Sequence, residues 1–151
     1  MVATVAFGPL ATRAADTPER LVNLSTRTQV VAGAGAPVVG FVVGDGPAKP
    51  ILIRAVGPGL NQYLGGSGGL ANPQLVVYNA AGVEVARNDN WSTAAAGNSG
   101  NQATSAMFTS VGAFGLTAGS NDAALRVTLT PGSYTAQVTN VTGTSSAVAI
   151  C

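Results

Sequence analysis

An all-β fold is expected, a two-layer antiparallel β-sandwich of jelly-roll-like form with about seven or eight strands. Three observations predict it. Short runs alternating apolar and polar residues follow one another from Arg20 to the end of the chain. Clusters of Gly, Pro, Asn and Asp, the residues of tight turns, separate them. No stretch of ten or more residues sustains a 3.6-residue apolar period. A small β-barrel fits the same pattern and is the alternative.

At 151 residues the chain is long enough for one domain with a core of its own, taken as residues 16–151. Charged residues are 9% of the chain and apolar ones 46%, with a net charge of +1. That composition lacks the polar, highly charged signature of disorder. Seven basic against six acidic residues leave no electrostatic footprint for nucleic acid or an anionic membrane. Thr, Ser and Asn supply the polar surface instead, as is common on β-rich extracellular proteins, and the protein is expected to be secreted or held at the cell surface.

Residues 1–15, MVATVAFGPLATRAA, read as the back half of a secretory signal whose basic leading region is missing, hence as a truncated start. The other reading of this segment is an extra strand, VATVAF. Its roughly ten apolar residues are too few to span a bilayer, and no later segment is long enough either.

Residues 20–30, RLVNLSTRTQV, alternate as a half-buried strand. VVGFVVG (residues 38–44) and ILIRAV (51–56) flank the turn-rich DGPAKP and are expected to pair as a hairpin, both central because both are almost wholly apolar. In LVVYNAAGVEVAR the connection Asn79-Ala80-Ala81-Gly82 suits a type I turn followed by a bulge at positive φ on Gly82. AALRVTLTPGSYTAQVTNV sets Leu125, Val127 and Leu129 opposite Arg126 and Thr128, turns through Pro131-Gly132 as a type II turn would, and resumes with Tyr134, Ala136 and Val138. It reads as a third hairpin. SAVAIC supplies one more strand, and residues 92–108 one loose helical turn.

Two long interruptions remain, residues 57–73 and 88–122, and a binding site is expected there if anywhere. Catalytic chemistry finds little to build on. The chain has no histidine, so the Ser-His-Asp and Cys-His arrangements and the common zinc sites lose their key member. The six acids, Asp16, Glu19, Asp45, Glu84, Asp89 and Asp122, fall mostly at turns and termini, where nothing suggests a carboxylate pair across a cleft. No enzyme is expected. Gly66, Gly68 and Ala71 have a G-x-G-x-x-A spacing, but the helix that a phosphate cradle needs is not predicted after them, so a flexible loop is expected. The glycosylation triplets at Asn23, Asn90 and Asn140 arise freely in a chain of this composition. Cys151 is the single cysteine, so no internal disulfide forms.

The segment Asn88-Asp89-Asn90-Trp91 supports three readings. Asn and Asp cap turns, and a Trp just after a strand closes the end of a core. Alternatively Asn88, Asp89, Asn90 and the Asn121-Asp122 pair converge as oxygen ligands for calcium, the one cofactor the sequence suggests. Thirdly, Trp91 and Tyr63 form an aromatic platform for a polysaccharide.

LVVYNAAGVEVARNDNW, then a long loop, then SNDAALRVTLTPGSYTAQVTNVTGTSSAVAI resembles the bacterial pre-peptidase C-terminal type of β-sandwich module. RLVNLSTR with FVVGDGPAKPILIRAVGPGL is similar to a related repeat module of secreted proteins of environmental bacteria. The resemblance runs from Arg20 to Ile150. It implies a non-catalytic extracellular accessory, structural or adhesive module, with other domains or copies of itself as partners, and glycosylation triplets that go unused. It also implies a closing strand longer than SAVAIC, which adds a further expectation: a surface or filament subunit assembled by strand exchange, VATVAF of one copy completing the sheet of the next.

Overall fold

A computed structural model describes residues 24–31, 36–93, 102–141 and 146–151. The signal or extra strand expected over residues 1–15 lies outside them, as does Asn23.

Among the described residues eight strands form: β1 (Thr26–Val30), β2 (Val38–Val43), β3 (Lys49–Val56), β4 (Pro73–Asn79), β5 (Glu84–Asn88), β6 (Ala123–Leu129), β7 (Gly132–Asn140) and β8 (Ser146–Ile150). A short 3-10 helix, Pro58–Tyr63, follows β3, and a six-residue helix, α1 (Ser105–Ser110), lies between β5 and β6. The strands make two four-stranded sheets, in the order β1-β8-β3-β6 and β2-β7-β4-β5, and every paired neighbour is antiparallel. This is a sandwich with open edges on both sheets, not a barrel. β1 pairs with β8, β2 with β7, β3 with β6 and β4 with β5, the nested order of a jelly roll.

That nesting corrects two expectations. β2 and β3 are not a hairpin: the turn between them carries the chain from one sheet to the other, and Lys49 holds it by donating to the carbonyls of Gly44 (2.6 Å) and Asp45 (3.1 Å). Nor are they both central, since β3 lies inside its sheet while β2 is an edge. β6 and β7 likewise belong to different sheets, and Gly132 has φ of 154° where a type II turn needs about +80°. Pro131-Gly132 turns a corner of the sandwich. The Tyr134 hydroxyl pins that corner by donating to the Thr130 carbonyl at 3.0 Å, in the manner of a tyrosine corner.

The β4–β5 pair is the one hairpin that forms as expected. Gly82 N donates to Asn79 O (2.9 Å), Gly82 has φ of 72°, and the register shifts between Val77 and Tyr78. Asn79 Oδ1 adds bonds from the amides of Ala81 and Val83, each 3.0 Å.

The main core lies between the sheets, where alternate residues of β3 (Ile51, Ile53, Ala55), β6 (Leu125, Val127, Leu129), β4 (Leu75, Val77) and β7 (Tyr134, Ala136, Val138) meet. A second, smaller core sits on the outer face of the β3–β6 side. There Leu52, Val56 and Ala124 are covered by Leu60, Trp91, Ala103, Phe108 and Leu116. Most of the covering residues come from the second long interruption, whose described parts, residues 88–93 and 102–122, form a lid over the sheet. α1 forms within it, overlapping the stretch that suggested a helical turn, with Thr104 as its N-cap.

Candidate functional site

The two Asn and Asp knots stand at the end of β5 and the start of β6, on different sheets, and the fold does bring them together. The amide of Trp91 donates to the carbonyl of Asp122 at 2.8 Å, and Asn88 Oδ1 accepts from the amide of Ala124 at 3.0 Å. One bond joins backbone to backbone and the other a side-chain oxygen to a backbone amide, and together they tie one sheet to the other.

Asp122 is fully buried. Its Oδ1 accepts from the amides of Gly57 (2.8 Å) and Gly59 (3.0 Å), and its Oδ2 from the Ser120 hydroxyl (2.7 Å). Three donors on one carboxylate satisfy amides at the start of the 3-10 helix that would otherwise be left without partners. The chain crosses itself at the same place. A Cβ on Gly57 would lie 2.1 Å from Leu70 O, and one on Gly69 would lie 2.1 Å from Gly57 O. Asn61 secures the return by accepting from Gly69 N at 2.8 Å through Oδ1 and from the amides of Leu64 (3.1 Å) and Gly66 (2.8 Å) through its carbonyl. The glycine-rich segment is thus a loop tied at both ends, correcting the expectation of a flexible one. β4 follows it, not a helix, so the phosphate-cradle spacing has no structural context.

Asn88 is buried, its Nδ2 donating to Asn90 O at 3.2 Å. Asp89 is half-buried and makes no side-chain hydrogen bond among the described residues, while the Asn90 carbonyl also receives Thr93 through its amide and its hydroxyl, both at 3.1 Å. Asn121 is exposed and donates to Ala71 O at 3.3 Å. Of the oxygens put forward for calcium, those of Asp122 and the side-chain oxygen of Asn88 therefore already serve protein donors. Among the described residues no three acids or cysteines cluster as metal ligands.

Trp91 and Tyr63 do not form a common platform. Trp91 is buried in the second core, where its Nε1 donates to Thr117 O at 3.0 Å and its ring lies 5.2 Å from that of Phe108. Tyr63 is 59% exposed and meets the Phe114 ring edge-on at 5.5 Å. Between the two phenylalanines lies Arg54, a residue the sequence offered only as part of an apolar strand. It is 1% exposed, with its guanidinium carbon 5.0 Å from the Phe108 ring centre and 4.6 Å from that of Phe114. Nη1 donates to Phe114 O at 2.7 Å, and Nε has no hydrogen-bond partner among the described residues. Trp91, Phe108, Arg54, Phe114 and Tyr63 make one continuous row of ring and cation contacts, buried at the Trp91 end and open to water at Tyr63. Cationic stacking offsets part of the cost of burying the charge. The signal was an arginine inside ILIRAV, where an apolar residue was due.

The strand from SAVAIC, β8, lies inside its sheet between β1 and β3, and Arg54 and Cys151 exchange backbone hydrogen bonds of 2.7 and 3.0 Å. The Cys151 thiol is half-buried and accepts from the Ser25 hydroxyl at 3.4 Å.

No family model matches the chain, and no curated protein matches it. Among solved structures the chain is similar to the pre-peptidase C-terminal domain of a collagenase from Bacillus anthracis, with 15% identity, 85% of this chain and 86% of that chain covered, and a TM-score of 0.49. The likeness is one of fold.

Proposed function

We propose that this chain is a non-catalytic structural module of a secreted protein, one that acts through contacts of its protein surface. One observation carries the reading. The polar side chains buried among the described residues are spent inside the fold: Asp122 on Gly57, Gly59 and Ser120, Asn88 on Ala124, and Arg54 on Phe114 O and two aromatic rings. From the long interruption between β5 and β6, where a binding loop was expected, Trp91, Ala103, Phe108 and Leu116 pack into the second core. A weakly charged surface suits a module that must stay folded outside the cell while neighbouring domains or copies do the work.

Thermal melts in millimolar Ca²⁺ and in chelator test the reading against the calcium one, because a ligand that binds only the folded state raises the midpoint by linkage. The two curves are expected to coincide. A rise in Ca²⁺ that disappears in Asp89→Ala would replace the structural reading with a calcium-binding one. Retention on insoluble polysaccharides gives the second check: no retention is expected, and retention lost in Tyr63→Ala would make the module a carbohydrate binder.

A further inference from the structure

The four strands at the edges of the two sheets differ in one respect. β1 carries Arg27, β6 carries Arg126, and β5 carries the Glu84–Arg87 ion pair beside a bulge in its ladder with β4. Charges and bulges of this kind keep a sheet edge from pairing with another chain. β2 has neither, and within Val38–Val43 there is no charge and no proline. Val38 is 56% exposed and Val42 is 74% exposed.

Among the described residues the backbone of β2 is paired on one side only, with β7. Val138 N donates to Pro37 O at 3.0 Å, which sets the alternation of the β2–β7 ladder. Val39, Phe41 and Val43 therefore turn their N–H and C=O groups toward β7, and Val38, Gly40 and Val42 turn theirs to the open side. Gly40 adds a second observation. A glycine inside a strand weakens it, and it marks a bulge, a bend or the close approach of another backbone. The β2–β7 register is unbroken through Gly40, its φ is not positive, and a Cβ there would meet nothing within 4 Å. Nothing among the described residues requires glycine at this position.

We propose that β2 pairs with β2 of a second copy, antiparallel about a twofold axis at Gly40, joining two four-stranded sheets into one of eight. A second copy fits because the strand is its own complement. In this register Gly40 faces Gly40, Val38 faces Val42 of the second copy twice over, and Val39 faces Phe41. The outward N–H and C=O groups of Val38, Gly40 and Val42 all meet partners, as an isologous contact demands. Each cross-strand pair is uncharged, and with a net charge of +1 per chain the copies repel one another little.

Light scattering on the full chain during size-exclusion chromatography, over a range of concentrations, tests this. The expected mass is twice the 14.8 kDa of one chain. Val38→Lys/Val42→Lys sets like charges face to face and is expected to give monomers, a twofold fall in mass. Val38→Lys/Val42→Glu sets opposite charges face to face in this register alone and is expected to remain dimeric. Circular dichroism matching the parent checks that both variants fold. A parent that is monomeric throughout, a dimer that survives the double lysine change, or a Lys/Glu variant that stays monomeric each overturns the proposal.

Discussion

Asp122 shows how a residue suited to metal binding becomes structural. Its carboxylate holds two amides and one hydroxyl in a dry environment, and a buried amide stripped of its acceptor costs about 1–3 kcal/mol. Asp122→Ala should therefore lower the unfolding free energy by about 3 kcal/mol, whereas Asp122→Asn, which keeps an acceptor for the Gly57 and Gly59 amides, should lose less than half of that; urea melts of the two variants read the difference. Arg54 makes the complementary case. Its guanidinium carbon lies 5.0 Å from one ring centre and 4.6 Å from another, and a planar guanidinium stacks on aromatic faces in a way that a compact ammonium of the same charge does not. Arg54→Lys is expected to cost about 1 kcal/mol or more, most of what Arg54→Ala costs, and a lysine variant as stable as the parent would show that charge rather than shape matters there. Glu84 and Arg87 lie at the other extreme. The Arg87 hydrogen bond holds the Glu84 carboxyl below its ordinary value, so the pair contributes at neutral pH and the contribution is lost as pH falls through that lowered value. Both side chains face water, and Glu84→Gln should shift stability by less than about 0.5 kcal/mol at about pH 7 and by nothing in strong acid. At this scale the sequence was legible where chemistry is local. Asn79 and Gly82 announce their turn because the bonds they make lie within a few residues of chain. The amides that Asp122 holds and the carbonyl that the Arg54 guanidinium holds lie about sixty residues away along the chain, and no pattern near either residue points to them.

Among the elements, the lid over β3 and β6 is the one whose role reversed. A long polar segment with one tryptophan reads as a loop, since Trp91, Ala103, Phe108 and Leu116 are too widely spaced to show a period. They become a core only because β3 presents Leu52 and Val56 on its outer face, which its nearly continuous apolar run had hinted at. Phe108→Ala should cost about 3–5 kcal/mol. In native-state hydrogen exchange it should speed the amides of α1 and its flanks while those of β4 and β7 keep their protection. If the β4 and β7 amides accelerate equally, the two cores form a single cooperative unit. The β4–β5 tip gives a cleaner test. Gly82 has φ of 72°, and although the space beside its Cα is open, room does not relieve a side chain held at that backbone angle. Gly82→Val should therefore cost about 1–2 kcal/mol from backbone strain alone, read from the same urea melts.

For the whole molecule, the nested order places the partners β1 and β8 at opposite ends of the described chain. β8 also contacts β3, so a chain ending before Ser146 deprives two strands of a neighbour at once. Such a truncation should show no cooperative melt. Folding of the full chain should take milliseconds to seconds, because the entropy of closing long loops must be met before the outer strand pairs form. From the sequence by itself came the strands, their inward faces and their packing as a sandwich: a period of two, set by the pleat, places apolar residues on one side, and Gly, Pro and Asn interrupt it where the chain turns. Which strands pair was decided only in three dimensions. A turn between two apolar strands looks the same whether it returns the chain along one sheet or carries it across to the other, since both draw on the same turn residues and the same alternation. Of the three hairpins the sequence suggested, only β4–β5 lies at the tip of the nested roll, where neighbours in sequence are also neighbours in a sheet. The fate of the knots followed from the same long-range arrangement. Asn88 came to bind the Ala124 amide because the ends of two different sheets met there, and Asp122 the Gly57 and Gly59 amides because β3 and β6 are neighbours in one sheet, juxtapositions that no local pattern encodes.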